Sequence, residues 1–421
     1  MRTVRICALF ITILASLTLA GCWGSRESDE IAYVLAVGLD KGEKDSLVVT
    51  VGIANPRTLA GGGGGGGGDS EKNIVVYSVE TYAPLAMSNL LNTTIDRPLS
   101  LLHAKAFIFS EELAREGIGK WLLPLIRNRE VRGTSQIFIS RGKAREFIEN
   151  NNPFLTLSPA KQYDLIYELS DEHGLYSSIQ LTQFYDYLKS ESIETTAPLV
   201  GVHLGEFESA KPGAAKGGDI AMGKYVAGEV PVAGRNKAQF IGTAVFLHDK
   251  MQGTLNGQET RYYLMIRGLF GSGLISMADP LSEEPAFVGF RVQQARGPEY
   301  KVNIDEDGKV SIDVDIFLEP EVTAYTGVNT LVRADLKPIY EEAFSKYIEQ
   351  GCNTLIKRTQ EEFRSDIFGF GQHLKHRFWT VQAWEEFNWL HRYQDADINV
   401  TVHSHIRRSG LIMKIIPWET E

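Results

Sequence analysis

Three cysteines, nine histidines and several short acidic runs are the residues through which this chain of 421 could do chemistry, and each has a spacing that can be tested. Gly218-Asp219-Ile220-Ala221-Met222-Gly223-Lys224 has the outline of a phosphate-binding loop. Position 225 is Tyr, however, so the hydroxyl that holds magnesium is missing, and no apolar strand precedes the glycines. Asn303-Ile304-Asp305-Glu306-Asp307-Gly308 has the outline of a calcium loop. Its twelfth position is Val314 where a bidentate Glu is required, and Asp-Gly between two alternating runs is a hairpin signal. His373 and His376 share one side of a helical pattern, and His403 and His405 one side of a strand. Either pair supplies only two ligands, fewer than a zinc site needs, and no Glu stands between the first two. Asp313 and Asp315 share a strand face with no apolar pocket to raise a carboxyl pKa. No Gly-x-Ser-x-Gly elbow occurs, and Cys352 lies in an apolar helical stripe where a thiol is core. The expectation is a protein with no catalytic centre, cofactor or metal.

Cys22 is different. Arg2 and Arg5 precede an apolar run, Ile6 to Leu19, too short to span a bilayer but of the length of a signal segment. Leu19-Ala20-Gly21-Cys22 follows and resembles the bacterial lipobox: small residues fit the peptidase groove, and the thiol takes a diacylglyceryl group before cleavage between Gly21 and Cys22. Two acyl chains of the palmitate class hold a protein at a membrane where one is marginal. The expectation is therefore a cleaved signal over 1–21 and an exported, lipid-anchored chain.

Loss of Arg2 and Arg5 with the signal leaves 41 basic against 53 acidic residues, taking the net charge from −10 to −12. That balance argues against nucleic acid and against a broad electrostatic contact with anionic lipid. With Cys7 removed and Cys22 acylated, Cys352 alone remains, so no disulfide can form within the chain and packing must supply stability.

The elements that position these residues divide in two. After a polar tether, 31–38 and 46–54 read as strands, and 74–81 as the strand returning from the eight glycines Gly61 to Gly68, a flexible loop tip. A helix near 83–94, strands at 103–109 and 136–140, and helices near 111–115, 121–126 and 143–149 complete a mixed α/β domain over 22–204. Residues 205–236, rich in Gly, Ala, Lys and Pro, read as a linker or extended crossing. A second domain spans 237–421, with strands at 238–248, 260–266, 287–293, 300–304 and 309–318. Val310, Ile312, Val314, Ile316 and Leu318 alternate as in a half-buried strand. A long helix follows from Pro338, with Ile339, Ala343, Phe344, Tyr347, Ile348, Cys352, Leu355, Ile356 and Phe363 facing the core. A break at Gly369-Phe370-Gly371, a second helix over about 373–393 and a closing strand at 397–406 end the domain. The fold class is α+β.

Several stretches together resemble the Ger(x)C family, the lipoprotein C subunit of bacterial spore nutrient-germinant receptors. They are Gly21-Cys22-Trp23-x-Ser25-Arg26-Glu27, Val37-Gly38-Leu39-Asp40-Lys41, Arg97-Pro98-Leu99-Ser100-x-x-His103-Ala104-Lys105 and Ser110-Glu111-Glu112-Leu113-Ala114. The second half adds Gly242-Thr243-Ala244-Val245-Phe246, Asn256-Gly257-x-Glu259-Thr260 and Asp366-Ile367-Phe368-Gly369-Phe370-Gly371, followed by Trp379 and Trp384. Gly24 and Asn128 depart from the family pattern, which favours Asp at both. The resemblance implies a non-catalytic interaction subunit at the outer face of the inner spore membrane. It would act there with two integral membrane subunits, one of them permease-like. The competing reading is a solute-binding lipoprotein feeding a transporter, which would have two similar doubly wound lobes. A cell-wall hydrolase would need the paired carboxylates or zinc site that the spacing does not assemble.

Overall fold

The computed structural model describes residues 27–55, 73–205 (apart from 154, 157 and 158), 224–282, 286–326 and 336–407, together with 2, 3, 5, 6, 8 and 10. Cys22, the glycine run, Gly218 to Gly223 and most of the expected linker lie outside these residues. None of the described helices is long and apolar enough to cross a membrane.

Nine strands form the first sheet: β1 (Ala32–Lys41), β2 (Leu47–Ala54), β3 (Ile74–Thr81), β4 (Leu99–Ser100), β5 (Ala106–Ser110), β6 (Gln136–Ser140), β7 (Thr196–Val202), β8 (Ala238–Leu247) and β9 (Lys250–Leu255). Their order is β3-β2-β1-β5-β6-β7-β8-β9, with β4 beside β1. The pairs β1–β5, β5–β6 and β6–β7 are parallel, and both ends of the sheet are antiparallel. Every residue of β5 and β6 is buried, as in a parallel sheet covered on both faces. Phe107, Phe109, Ile137 and Ile139 face one core, and Ala106, Ile108 and Phe138 face the other.

Two residues of the family stretch Val37 to Lys41 have a packing explanation here. Gly38 lies against the helix Ala144–Asn150, where an added Cβ would stand 2.9 Å from Ile148 and 3.1 Å from Ala144. Asp40, two residues on and 5% exposed, accepts from the Ala144 and Arg145 amides at 2.6 and 2.9 Å. The first turn of that helix is thus capped from a distant strand.

The second sheet has four strands in the order β10 (Ser272–Ala278), β11 (Phe287–Ile304), β12 (Val310–Tyr325) and β13 (Asp397–Ser404). The first two pairings are antiparallel and β12–β13 is parallel. The two runs expected at 287–293 and 300–304 form one strand with irregular register, and the alternating residues of β12 are buried as expected. Helix Lys337–Arg358 covers this sheet, with Phe344 5.0 Å from Phe290 between ring centroids.

Four expectations need correction. The run 260–266 forms part of the helix Gly257–Arg267, not a strand. Asn256 and Glu259 form a capping box at its start, and Gly268 closes it at φ +70°. The helix is buried nearly all round between the sheets, which erases the polar stripe that marks a helix in sequence. Strand β8, expected to open the second domain, extends the first sheet together with β9, which was not expected, so the boundary expected near 237 is crossed by strand pairing. The buried stripe of the long helix begins at Tyr340, with Ile339 40% exposed, and the helix leaves regular geometry after Arg358. Finally, 373–393 is a series of short turns, Phe370–Leu374, Lys375–Arg377, Val381–Phe387 and Trp389–Arg392, where one long helix was expected.

Candidate functional site

The sheets meet where the sequence places Asp366-Ile367-Phe368-Gly369-Phe370-Gly371. Asp366 is fully buried, and its carboxylate is spent on the chain around it. Oδ1 accepts from the amides of Phe368 and Gly369 at 3.1 and 2.9 Å; Oδ2 accepts from the Gly371 amide at 3.1 Å and from Trp389 Nε1 at 2.7 Å. Burial pushes its pKa up, against the lowering by these donors. Gly369 has φ +76°, a conformation glycine adopts without strain. A Cβ on Gly371 would meet Trp389 and stand 2.6 Å from the Ser192 carbonyl oxygen.

The same corner fastens the two units. Glu194 N donates to Asp366 O at 2.8 Å, and Ser365 Oγ donates to Phe246 O at 2.6 Å. Arg267, from the central helix, donates to Ile367 O at 3.2 Å and to Tyr187 Oη at 3.3 Å. Glu194 is 2% exposed; its Oε2 accepts from His248 N at 2.8 Å. Oε1 lies 3.3 Å from His248 Nδ1, within ion-pair distance but without hydrogen-bond alignment. Burial, reinforced by the nearby Asp366 charge, raises the Glu194 pKa to about 7.

Above Glu194 lies a cleft of about 760 Å³ between the units, whose walls include Lys189, His248, Arg364, Trp384, Asn388 and His391. Three of them are non-glycine residues in the left-handed region: His248 at φ 55°, Arg364 at φ 53° and Asn388 at φ 50°. Such conformations persist only where surrounding structure imposes them. The cleft carries charges of both signs, with Glu191 and Glu385 opposing the cations.

The residues singled out in the sequence are dispersed. Asp305 closes the β11–β12 turn, accepting from Lys309 N at 2.7 Å, so its carboxylate serves the hairpin. Tyr225 packs beside the first core. His373 stacks on Tyr300 with centroids 3.9 Å apart. Asp315 pairs with Lys301 at 3.0 Å and His403 at 2.9 Å, and these partners lower its pKa; Asp313 is exposed. His405 lies 3.1 Å from Glu341, which belongs to the long helix. Cys352 is buried, and burial pushes its thiol pKa well up. Among the described residues no three His, Cys, Asp or Glu side chains are grouped to hold a metal ion. Sequence reasoning missed Glu194, whose place is set only by tertiary burial, and His248 and Arg364, while Asn388 after the helix Val381–Phe387 carried a helix-end signal that was not used.

Comparison with known proteins divides the chain near the boundary expected from sequence, between β7 and β8, although the first sheet runs across it. Residues 24–202 match the family described as spore germination protein N-terminal domain, and residues 241–410 match spore germination B3/GerAC like, C-terminal. The chain is 24% identical over 417 residues to spore germination protein KC of Bacillus subtilis (strain 168), covering 97% of each. It is 21% identical over 428 residues to spore germination protein YndF of the same organism, covering 96% of this chain and 97% of that one. Its fold is similar to the crystal structure of the GerBC protein, with TM-score 0.53 at 14% identity over 88% of this chain and 96% of that chain. With both matches spanning nearly the whole chain from residue 24, the protein belongs to the GerAC-like family of spore germination proteins.

Proposed function

We propose that this chain is the lipid-anchored, non-catalytic subunit of a spore nutrient-germinant receptor. It works at the outer face of the inner spore membrane beside an A-type and a permease-like B-type integral membrane subunit. The observation that carries the reading is the lipobox Leu19-Ala20-Gly21-Cys22 behind a short apolar run, on a chain of this family. The interaction role is supported by how the polar groups are used: Asp366, Asp40 and Asp305 serve backbone amides, and the titratable pairs at Asp315 and Glu341 join structural elements. An anchor of two acyl chains raises the effective concentration of the domain beside its membrane partners.

The cleft above Glu194 favours the competing reading of a solute-binding lipoprotein, since it has the volume of a small-molecule site. Against that, the two units are unlike: one sheet has nine strands with a parallel centre, the other four, largely antiparallel.

Mass spectrometry of the mature amino terminus tests the anchor. We expect a diacylglyceryl-modified Cys22, and release of Cys22→Ala from stable membrane attachment. An unmodified Cys22, or cleavage elsewhere, refutes it. Co-purification of the two membrane subunits with the anchored chain tests the partnership. Micromolar calorimetric binding of an amino acid or sugar by the chain alone would favour the solute-binding reading.

A further inference from the structure

We propose that the loop Lys375 to Val381 is a second contact with the membrane, in which Trp379 enters the headgroup region of an anionic lipid surface while Lys375 and Arg377 meet lipid phosphates. The proposal rests on the anchoring at Cys22 proposed above.

Trp379 is 100% exposed, the extreme among the large apolar side chains described, and Val381 is 64% exposed. The local geometry explains why the indole is free. Thr380 caps the helix Val381–Phe387, accepting from Ala383 N at 3.1 Å. An apolar residue just before a cap ordinarily packs back on the fourth helical position, here Trp384. Phe378 fills that place instead, with centroids 5.3 Å from Trp384 and 4.8 Å from Phe387. Trp379 is thereby presented outward from a rigid aromatic base. Arg377 donates to Val302 O at 3.1 Å, which ties the loop to β11.

The charge around it runs against the rest of the chain. Residues 367 to 384 contain no Asp or Glu, in a sequence with 53 acids among 421 residues, and they carry Lys375, Arg377, His373 and His376. Overall acidity excludes a broad electrostatic contact with anionic lipid and leaves room for a local one. The opposing charges are Glu385 and Glu386, on the helix that follows, and Asp305, Glu306 and Asp307, in the turn shortly beyond Val302. A lipid surface fits better than a protein partner. A protein interface buries about 800 Å² on each side around a packed anchor, whereas here a single indole stands clear of its neighbours. An amphipathic ring flanked by basic residues suits the membrane–water boundary.

The test uses the acylated full chain in vesicles of phosphatidylglycerol and phosphatidylcholine with brominated acyl chains. In a Trp23→Phe background, which removes the indole beside the acylated cysteine, we expect the lipid to quench tryptophan emission and Trp379→Phe to lose most of that quenching. Each of Lys375→Gln and Arg377→Gln should weaken loop partitioning about fivefold, and pure phosphatidylcholine should weaken it further. Equal quenching in the parent and in Trp379→Phe overturns the proposal, as does quenching indifferent to lipid charge. Quenching that depends on added membrane proteins would show a protein partner and overturn it too. Titrating unacylated chain with the same anionic vesicles reads the Trp379 difference without the anchor, so failure of the anchor and failure of the loop are told apart.

Discussion

Replacing Glu194 by Gln should remove the pH-dependent loss of stability that this one side chain contributes between pH 5 and pH 8. Glu194 holds its proton up to about 7 in the fold, against 4.5 for an ordinary glutamate, because it is buried beside Asp366. Across that window the folded chain binds a proton that the unfolded chain has released. Stability is therefore full below about pH 4.5 and is lost as pH rises through 7. The displacement corresponds to about 3 kcal/mol at most, using 1.36 kcal/mol for each tenfold change in proton affinity. Gln keeps an oxygen to accept from His248 N, which Glu194 Oε2 now does at 2.8 Å, and it cannot ionise. Asp366 remains in both proteins, so its own titration largely cancels in the comparison. Urea unfolding at pH 5, 6, 7 and 8 would read the difference between parent and variant. We expect the two to diverge steadily, with the variant more stable by up to about 3 kcal/mol at pH 8. Parallel stability profiles would refute the reasoning.

Asp40→Ala should cost about 2 kcal/mol in denaturant unfolding, because it orphans the buried amides of Ala144 and Arg145; Asp40→Asn should cost less, since one acceptor oxygen remains. Gly371→Val should prevent assembly of the carboxy-terminal unit, seen as lost near-ultraviolet dichroism and rapid proteolysis, because Trp389 and the Ser192 carbonyl leave no room. Gly369→Ala, strained by its positive φ and with a Cβ 3.0 Å from Ile193 Cδ1, should cost at least about 1 kcal/mol and less than Gly371→Val. Shortening Gly61 to Gly68 to two or three glycines should cost under ~1 kcal/mol, since closure entropy grows logarithmically with loop length. A midpoint lowered by many degrees would show the run to be structurally engaged.

The sequence by itself determined the α+β class and the alternation of β12, because these depend on runs of neighbouring residues whose period is local. It also identified the Asp366 to Gly371 corner as special through its glycines. Only tertiary structure decided what that corner does. Asp366 meets Trp389 and Glu194, far away in sequence, and no spacing rule links them. The same holds for helix Gly257–Arg267, where burial on all sides hid the helical stripe while tyrosines and isoleucine suggested a strand. Strand partnership was equally hidden, since β8 carries an ordinary strand pattern and its place in the first sheet is fixed by pairing with β7, with β9 added beyond it. The left-handed backbone at Arg364 lies furthest from sequence, because packing holds it where its own preferences would not, whereas His248 and Asn388 are of types that enter that region more readily.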